Sequence, residues 1–289
     1  MRCSQGWWPP QRGHEPAGVI ELTLMVPDDH SSDPIGVFDS GVGGLSVLRE
    51  MRRELPHEHI IYFGDQAHVP YGSKSLLEVR QLSENVTRTL LGKGAKLIVV
   101  ACNTASAAAL HYLRETFPDT PFVGMEPAVK PAAEHTHTGK VGVLATPATF
   151  QGELYASVVE RFAHGVTLYQ DTLPGLVAQI EAGHLKDGKT REILENALKP
   201  MLAEGIDTVV LGCTHYPFVI PLIQEIVGPG VQVIDPAPAV ARQVRRVLER
   251  EGLLRVGDDP GKVEYETSGD PVKFMKMVRR LGKKFKAQV

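Results

Sequence analysis

Two cysteines stand at the ends of apolar runs, Cys102 in "VVACNTASA" and Cys213 in "VVLGCTHYP". A buried free cysteine is often only a small apolar residue of the core. Here, however, hydrogen-bonding residues follow both cysteines: Asn103 and Thr104 after the first, and Thr214 and His215 after the second. Such neighbours fill a core poorly, so we interpret both thiols as chemical groups at the tips of buried strands.

Two facing thiols suit the inversion of a carbon that carries an acidic hydrogen. One thiolate removes the proton from one face, and one thiol delivers a proton to the other. A helix that begins after each strand would favour the thiolate through its partial positive charge. A Cys-His hydrolase could use Cys213 and His215, but it leaves Cys102 without a role. No zinc site is predicted, because Cys-x-x-Cys and paired histidines at ligand spacing are absent from the sequence.

The stretch "DSGVGG" follows another apolar run and offers Asp39, Ser40 and several backbone N–H groups. Near a helix N-terminus such groups form an anion cradle. The stretch lacks the Gly-Lys-Ser/Thr of a nucleotide-binding loop and the spacing of a dinucleotide fingerprint. A tight turn with Ser40 as the helix N-cap is the alternative.

Two further loops add polar groups, Tyr71 in "GDQAHVPYGSK" and the hydroxyls of Thr146 and Thr149 in "ATPAT". None of these loops is rich in lysine or shaped for a large cofactor. We therefore predict a cofactor-free site for a small molecule, with one or more carboxylates and an amine that meets Asp39.

Short apolar runs alternate with segments of helical period along the chain. Apolar residues recur every three or four positions between the runs, which predicts helices. Nearly uniform apolar strands that alternate with helices indicate parallel sheets covered on both faces. The predicted strands are 35–38, 59–64, 97–101, 141–144, 166–169 and 208–211.

The second half of the chain repeats the first. "GVFDSGVGG" corresponds to "GVLATPATF", "VVACNTA" to "VLGCTHY", and "VGMEPAV" to "VIDPAPAV". We predict an α/β fold of two pseudo-twofold-related domains with mainly parallel sheets. Ligands bind beyond the carboxyl ends of such strands, so the active site is expected in the cleft between the domains.

The predicted domains comprise 33–125 plus 236–289 for the first and 126–235 for the second. Residues 1–32 contain proline, charge and turn formers without a sustained period. We predict that they form a disordered extension, or sequence upstream of a start at Met25.

Composition narrows the class of protein. The net charge of −3 provides no basic field for a nucleic-acid backbone, so nucleic acid is not an expected partner. No apolar run approaches the roughly 20 residues of a membrane-spanning helix. Three cysteines make no disulfide framework, so we expect free thiols in a reducing, cytoplasmic setting.

Taken together, these motifs resemble those of the glutamate racemases, within the cofactor-independent aspartate/glutamate racemase superfamily. The resemblance covers about Ile35 to Gly252. It is carried by "GVFDSGVGGLSVL", "YFGDQAHVPYGSKS", "VVACNTASA", "ATPATF", "IEAG" and "LGCTHYPFVIPLI".

The resemblance implies an isomerase in which Cys102 acts on D-glutamate and Cys213 on L-glutamate. Asp39 would assist Cys102, His215 would assist Cys213, and Glu181 would lie near the second thiol. The implied substrate contacts are Asp39, Ser40, Tyr71, Gly72, Asn103, Thr104, Thr146, Thr149, Thr214 and His215.

The resemblance also implies a homodimer that supplies D-glutamate for peptidoglycan. Aspartate racemases resemble the chain too, but they typically carry Glu at the position of His215. A racemase for another amino acid and a non-catalytic amino-acid-binding protein of the same two-lobed shape are the alternatives.

Overall fold

The computed structural model describes residues 30–286, with side chains as far as residue 282. The predicted disordered extension therefore lies almost wholly outside the described residues. Its last three residues, His30–Ser32, form a short 3₁₀ helix that leads into the first strand.

Two parallel sheets organise the described chain. The first has the order β4-β3-β1-β2-β9, and the second the order β6-β5-β7-β8. Every neighbouring pair runs parallel. The first sheet contains β1 (Ile35–Asp39), β2 (Ile60–Gly64), β3 (Leu97–Val100), β4 (Phe122–Gly124) and β9 (Val263–Thr267), and the second contains β5 (Lys140–Ala145), β6 (Thr167–Asp171), β7 (Thr208–Gly212) and β8 (Gln232–Ile234).

Eleven α-helices connect and cover these strands in residues 30–286. They are α1 (Leu45–Glu54), α2 (Leu76–Leu91), α3 (Asn103–Thr116), α4 (Val129–His135), α5 (Pro147–Gln151), α6 (Glu153–Phe162), α7 (Leu176–Glu181), α8 (Gly188–Ala203), α9 (Ile220–Val227), α10 (Ala237–Arg250) and α11 (Pro271–Lys286). Short 3₁₀ helices also lie at Tyr71–Ser73 and Tyr216–Val219. None of the described helices is long and apolar enough to cross a membrane.

The predicted α/β class with parallel sheets is confirmed, and the internal repeat appears in the strand order. Reading the second sheet from its other edge gives β8-β7-β5-β6, the same arrangement as β4-β3-β1-β2. Strand β3 therefore corresponds to β7, and β1 corresponds to β5. The residues that follow β3 and β7 are the two cysteine motifs.

The C-terminal segment adds a strand that the sequence pattern did not predict. Helix α10 packs on α1, and β9 then pairs with β2 at the edge of the first sheet. Its side chains are exposed or only partly buried, unlike those of the apolar inner strands. The predicted boundaries near 125 and 235 stay a prediction, because strand pairing assigns strands to sheets and does not define independently folding units.

A buried ion pair fastens the start of the described chain to the first sheet. Lys96 Nζ lies 2.6 Å from Glu58 Oε2, and both side chains are inaccessible to solvent. The same ammonium donates to the carbonyl of Ser31, while the other oxygen of Glu58 accepts the N–H of Arg255. Burial lowers the pKa of Lys96, and the opposing effect of Glu58 offsets only part of this shift. Removing one partner of such a pair is costly, because it leaves a buried charge uncompensated.

Candidate active site

The two thiols come from corresponding places in the two sheets. Cys102 is the N-cap of α3 and the second residue after β3, and Cys213 directly follows β7. Both are buried, free, and face the same small cavity. The repeat in the sequence therefore becomes a pair of thiols that share one site.

Polar, uncharged groups and close-packed turns form most of the cavity wall. Its volume is about 10 Å³, which is room for about one water molecule. Ten of the twelve lining residues are ones that the sequence predicts for the site. The lining residues are Ser40, Pro70, Tyr71, Gly72, Cys102, Asn103, Thr104, Thr146, Val177, Cys213, Thr214 and His215.

Three predicted site residues, Asp39, Thr149 and Glu181, stand behind this lining. Each contacts it by a hydrogen bond: Asp39 accepts from Thr214, Thr149 bonds the hydroxyls of Thr104 and Thr146, and Glu181 binds His215. Pro70 and Val177 line the cavity without having been predicted. Val177 gives no signal in the sequence, whereas Pro70 lies inside the "VPYG" stretch.

On one side of the cavity, a chain of contacts leads from Cys213 to Glu181. His215 Nδ1 lies 3.8 Å from Cys213 Sγ, and its Nε2 lies 2.6 Å from Glu181 Oε1. Burial alone would lower the pKa of His215, but the contacts with Cys213 and Glu181 outweigh it, and the pKa is raised well above the usual range. The pKa of Glu181 is lowered, because its hydrogen bonds and the His215 charge outweigh burial. A protonated His215 between Cys213 and a carboxylate is the consequence.

The "DSGVGG" loop does form an anion cradle, but its anions belong to the protein. The N–H of Val42 donates to Glu181 Oε1 at 3.1 Å, and the N–H of Gly41 donates to Asp39 Oδ2 at 3.0 Å. Helix α1 begins after Gly44, which makes no side-chain cap, so the alternative of Ser40 as the N-cap is wrong. The cradle thus holds carboxylates that support the thiols from behind.

Glycine at position 43 lets this loop approach the second half of the repeat. A Cβ atom built there would lie 2.5 Å from His215 Nδ1 and 2.6 Å from Thr214 Oγ1. Any larger side chain would therefore press on the histidine that faces Cys213.

Around Cys102 the electrostatics differ from the predicted ones. Its sulfur accepts the N–H of Ala105, at 3.4 Å, and that of Ser40, and both contacts favour the thiolate. Burial and then the negative charge of Asp39 outweigh them, so the pKa of Cys102 is raised well above its usual range. The helix N-terminus therefore favours the thiolate, as predicted, but burial and Asp39 outweigh its effect and favour the protonated thiol.

Three threonine hydroxyls join the two halves of the repeat beside Cys102. Thr104 Oγ1 lies 2.8 Å from Thr146 Oγ1, which lies 2.9 Å from Thr149 Oγ1. Gly72 allows the Tyr71 turn to approach this cluster, because a Cβ there would lie 2.7 Å from the Cβ of Thr146. The cluster therefore closes the cavity on the side of the first thiol.

Two buried side chains show which polar groups are free to bind a ligand. Both amide atoms of Asn103, next to Cys102, are buried and have no hydrogen-bond partner within residues 30–286. The hydroxyl of Tyr71, in contrast, donates to Asp65 at 2.5 Å, and burial followed by the Asp65 charge raises its pKa. Tyr71 is thus a fixed wall, and Asp65, which the sequence analysis missed, holds it.

A larger cavity of about 570 Å³ lies elsewhere, where the chain crosses between the sheets near Pro127 and Pro236. It contains neither cysteine. We assign the active site to the smaller cavity because reactive groups converge there. Within residues 30–286, no cluster of three or more His, Cys, Asp or Glu side chains is arranged to hold a metal ion.

The chain is similar to known proteins over most of its length. The family model described as Asp/Glu/hydantoin racemase matches residues 35–244. A glutamate racemase from Roseiflexus sp. (strain RS-1) is 50% identical over 254 residues, which are 88% of this chain and 93% of that protein.

Solved structures give the same result. The glutamate racemase of Thermus thermophilus, in complex with β-chloro-D-alanine, is 38% identical with a TM-score of 0.76, and the match covers 88% of this chain and 94% of that one. The glutamate racemase of Francisella tularensis, in complex with D-glutamate, is 30% identical with a TM-score of 0.77, over 88% and 94% of the two chains.

Proposed function

The chain belongs to the Asp/Glu/hydantoin racemase family, and from that premise we propose that it interconverts L- and D-glutamate without a cofactor, using Cys102 and Cys213 as its two acid/base groups. The observation that carries the proposal is the pair of buried thiols, one from each repeat, that face a single cavity. A hydrolase or a binding protein would need no second thiol there.

In the direction from L- to D-glutamate, Cys213 acts as the base. The protonated His215 ring stabilises negative charge on the facing sulfur. The Cys213 thiolate takes the proton from Cα, and the Cys102 thiol gives its proton to the opposite face. The raised pKa of Cys102 keeps that thiol protonated before the reaction. Cys213 ends as a thiol and Cys102 as a thiolate, which is the starting state for the reverse direction.

The polar lining suits the two carboxylates and the amine of glutamate. The unpaired amide of Asn103 and the hydroxyls of Ser40 and Thr214 supply hydrogen bonds without a lysine or arginine in the wall. Asp39, behind Thr214, provides the negative charge that the substrate ammonium would meet. Because the cavity holds about one water, the proposal requires its walls to separate before glutamate binds.

Glutamate is favoured over aspartate because His215 stands where aspartate racemases typically carry Glu. D-glutamate from this reaction would supply peptidoglycan, and the two buried free thiols support a cytoplasmic, reducing setting. A homodimer stays a prediction, which light scattering of the purified protein tests.

Incubation with L-glutamate in deuterated water, with no pyridoxal phosphate added, tests the activity. We expect D-glutamate to form and deuterium to enter at Cα, since the acid that protonates the second face exchanges with solvent. L-aspartate in a parallel reaction tests the substrate preference. If neither D-glutamate nor deuterated glutamate forms over a range of pH, the chain is an amino-acid-binding protein instead.

A further inference from the structure

The loop after β2 carries a residue that neither the motifs nor the proposed chemistry account for. We propose that Gln66 is a positioning residue for the Cys213 half of the reaction, acting through Glu181 and His215. The inference rests on the proposed function and adds to it a residue that does not contact the substrate cavity.

The contacts of the Glu181 carboxylate support this role. Its Oε1 binds His215 Nε2 and accepts the N–H of Val42, while its Oε2 accepts Gln66 Nε2 at 2.9 Å. Gln66 therefore holds the oxygen that the other two contacts leave open. Without this donor, a largely buried carboxylate oxygen would lose a charge-assisted hydrogen bond, and the carboxylate could turn or take up a proton.

The orientation of the Gln66 amide follows from its surroundings. The opposite orientation would bring two oxygen atoms together at the 2.9 Å contact with Glu181. In the observed orientation, Gln66 Oε1 is buried with no partner in the described part of the chain. A buried unpaired acceptor is unfavourable, so the amide costs stability through its oxygen while its nitrogen makes the bond to Glu181.

The segment before α11 holds the loop in place. Ala67 N–H donates to Ser268 Oγ, whose hydroxyl donates to Asp65 Oδ1. Gly269 packs against Gln66, because a Cβ there would lie 3.1 Å from that of the glutamine. Asp65 in turn accepts the Tyr71 hydroxyl. Asp65 thus supports the Tyr71 side of the cavity, and Gln66 supports the side of Glu181 and His215. A substitution of Gln66 can therefore be tested for an effect on the Cys213 side alone.

A reaction that uses one thiol at a time separates the two sides. With β-chloroglutamate, a thiolate removes the Cα proton while the Cβ–Cl bond breaks and chloride leaves. The resulting enamine becomes an imine, which water hydrolyses to 2-oxoglutarate and ammonium. The L-analogue requires Cys213 as the base and the D-analogue requires Cys102, so 2-oxoglutarate formation reports each thiol separately.

Gln66→Met removes the donor at nearly constant size. We expect kcat for the L-analogue to fall about tenfold to a hundredfold, the worth of one hydrogen bond to a charged group, with KM little changed. The D-analogue rate should stay within about threefold of wild type. Gln170→Met is the matched control, since Gln170 donates to the neutral Tyr155 hydroxyl away from the cavity, and it should leave both rates unchanged.

Gln66→Glu provides a test that does not depend on the methionine variant. A carboxyl group at this position donates to Glu181 only when protonated, so the L-analogue rate, relative to wild type, should recover as the pH falls. Equal losses on both analogues, or no loss on either, would overturn the inference while wild-type racemisation stands. If the wild-type protein neither racemises glutamate nor eliminates chloride, the proposed function fails, and the inference with it.

Discussion

Replacing Gly43 by alanine tests whether His215 acts on Cys213 through the observed contact. The new Cβ would stand 2.5 Å from His215 Nδ1, the atom that faces Cys213 Sγ at 3.8 Å. Ordinary van der Waals contact begins at 3.4 Å, so the ring must move by about 1 Å. Its other nitrogen is held by Glu181 at 2.6 Å, so a shift of the ring strains the contacts with both Cys213 and Glu181.

A displacement of this size in a catalytic group costs about a hundredfold in rate. We therefore expect Gly43→Ala to lower kcat/KM for racemisation about a hundredfold, with about 1–3 kcal/mol of lost stability from overpacking. The backbone of Gly43 is not in the left-handed region, so the alanine adds no φ strain of its own. Circular dichroism follows racemisation from either enantiomer, and urea unfolding measures the stability.

Gly188→Ala is the matched control, because a Cβ at that first residue of α8 meets no atom of the described residues within 4 Å. Its activity should equal that of wild type, and its stability should stay equal or rise by up to about 1 kcal/mol. If Gly43→Ala folds and keeps kcat/KM within about threefold of wild type, the contact between His215 and Cys213 has no part in catalysis.

Three further outcomes are expected. Cys102→Ser and Cys213→Ser should each abolish racemisation in both directions, while Cys213→Ser still eliminates chloride from the D-analogue and Cys102→Ser from the L-analogue; the reverse preference would exchange the two faces. Glu181 helps to raise the pKa of His215, and the protonated ring is lost as the pH rises through that pKa. Glu181→Gln should therefore shift the alkaline fall of kcat/KM to lower pH. An unchanged pH profile would contradict this. Lys96→Met should cost about 3–5 kcal/mol in urea unfolding by leaving its buried carboxylate partner unpaired, with kcat per folded molecule unchanged.

The inner strands were predictable because parallel strands buried on both faces are apolar throughout. The runs at 35–38 and 208–211 became β1 and β7 with a residue added at the end of each. Strand β9 was not predicted, because at a half-exposed edge its residues alternate Val-Glu-Tyr-Glu-Thr and carry no uniform apolar signal. Burial on both faces thus makes an inner strand visible in the sequence. At the sheet edges the outcome is mixed: β6 was predicted at 166–169 although its side chains are exposed or partly buried, whereas the three-residue strands β4 and β8 were not predicted.

Within the site, residue identity was predictable and electrostatic state was not. The polar residues beside both cysteines marked the cavity lining correctly. The protonated state of Cys102 depends instead on burial and on Asp39, the last residue of β1, which is far from Cys102 in the sequence. The supporting role of Asp65 likewise depends on how a loop folds back toward Ser268. Such contacts join segments far apart in the chain, which a local pattern does not encode.

The matching strand orders of the two sheets bear on the thermodynamics of the proposed reaction. A substrate and its mirror image have equal free energies, so kcat/KM must be the same from either enantiomer, whatever side chains the protein uses. Mirror symmetry between the two sides of the site is impossible, because every residue of the chain is chiral. A duplicated architecture related by rotation can nevertheless place one proton-carrying group on each face of the flat carbanion. The halves nevertheless differ, with Asp39 on one side and the His215–Glu181 pair on the other. Because the two sides differ, kcat and KM can each differ between L- and D-glutamate. The ratio kcat/KM must still be the same for both enantiomers.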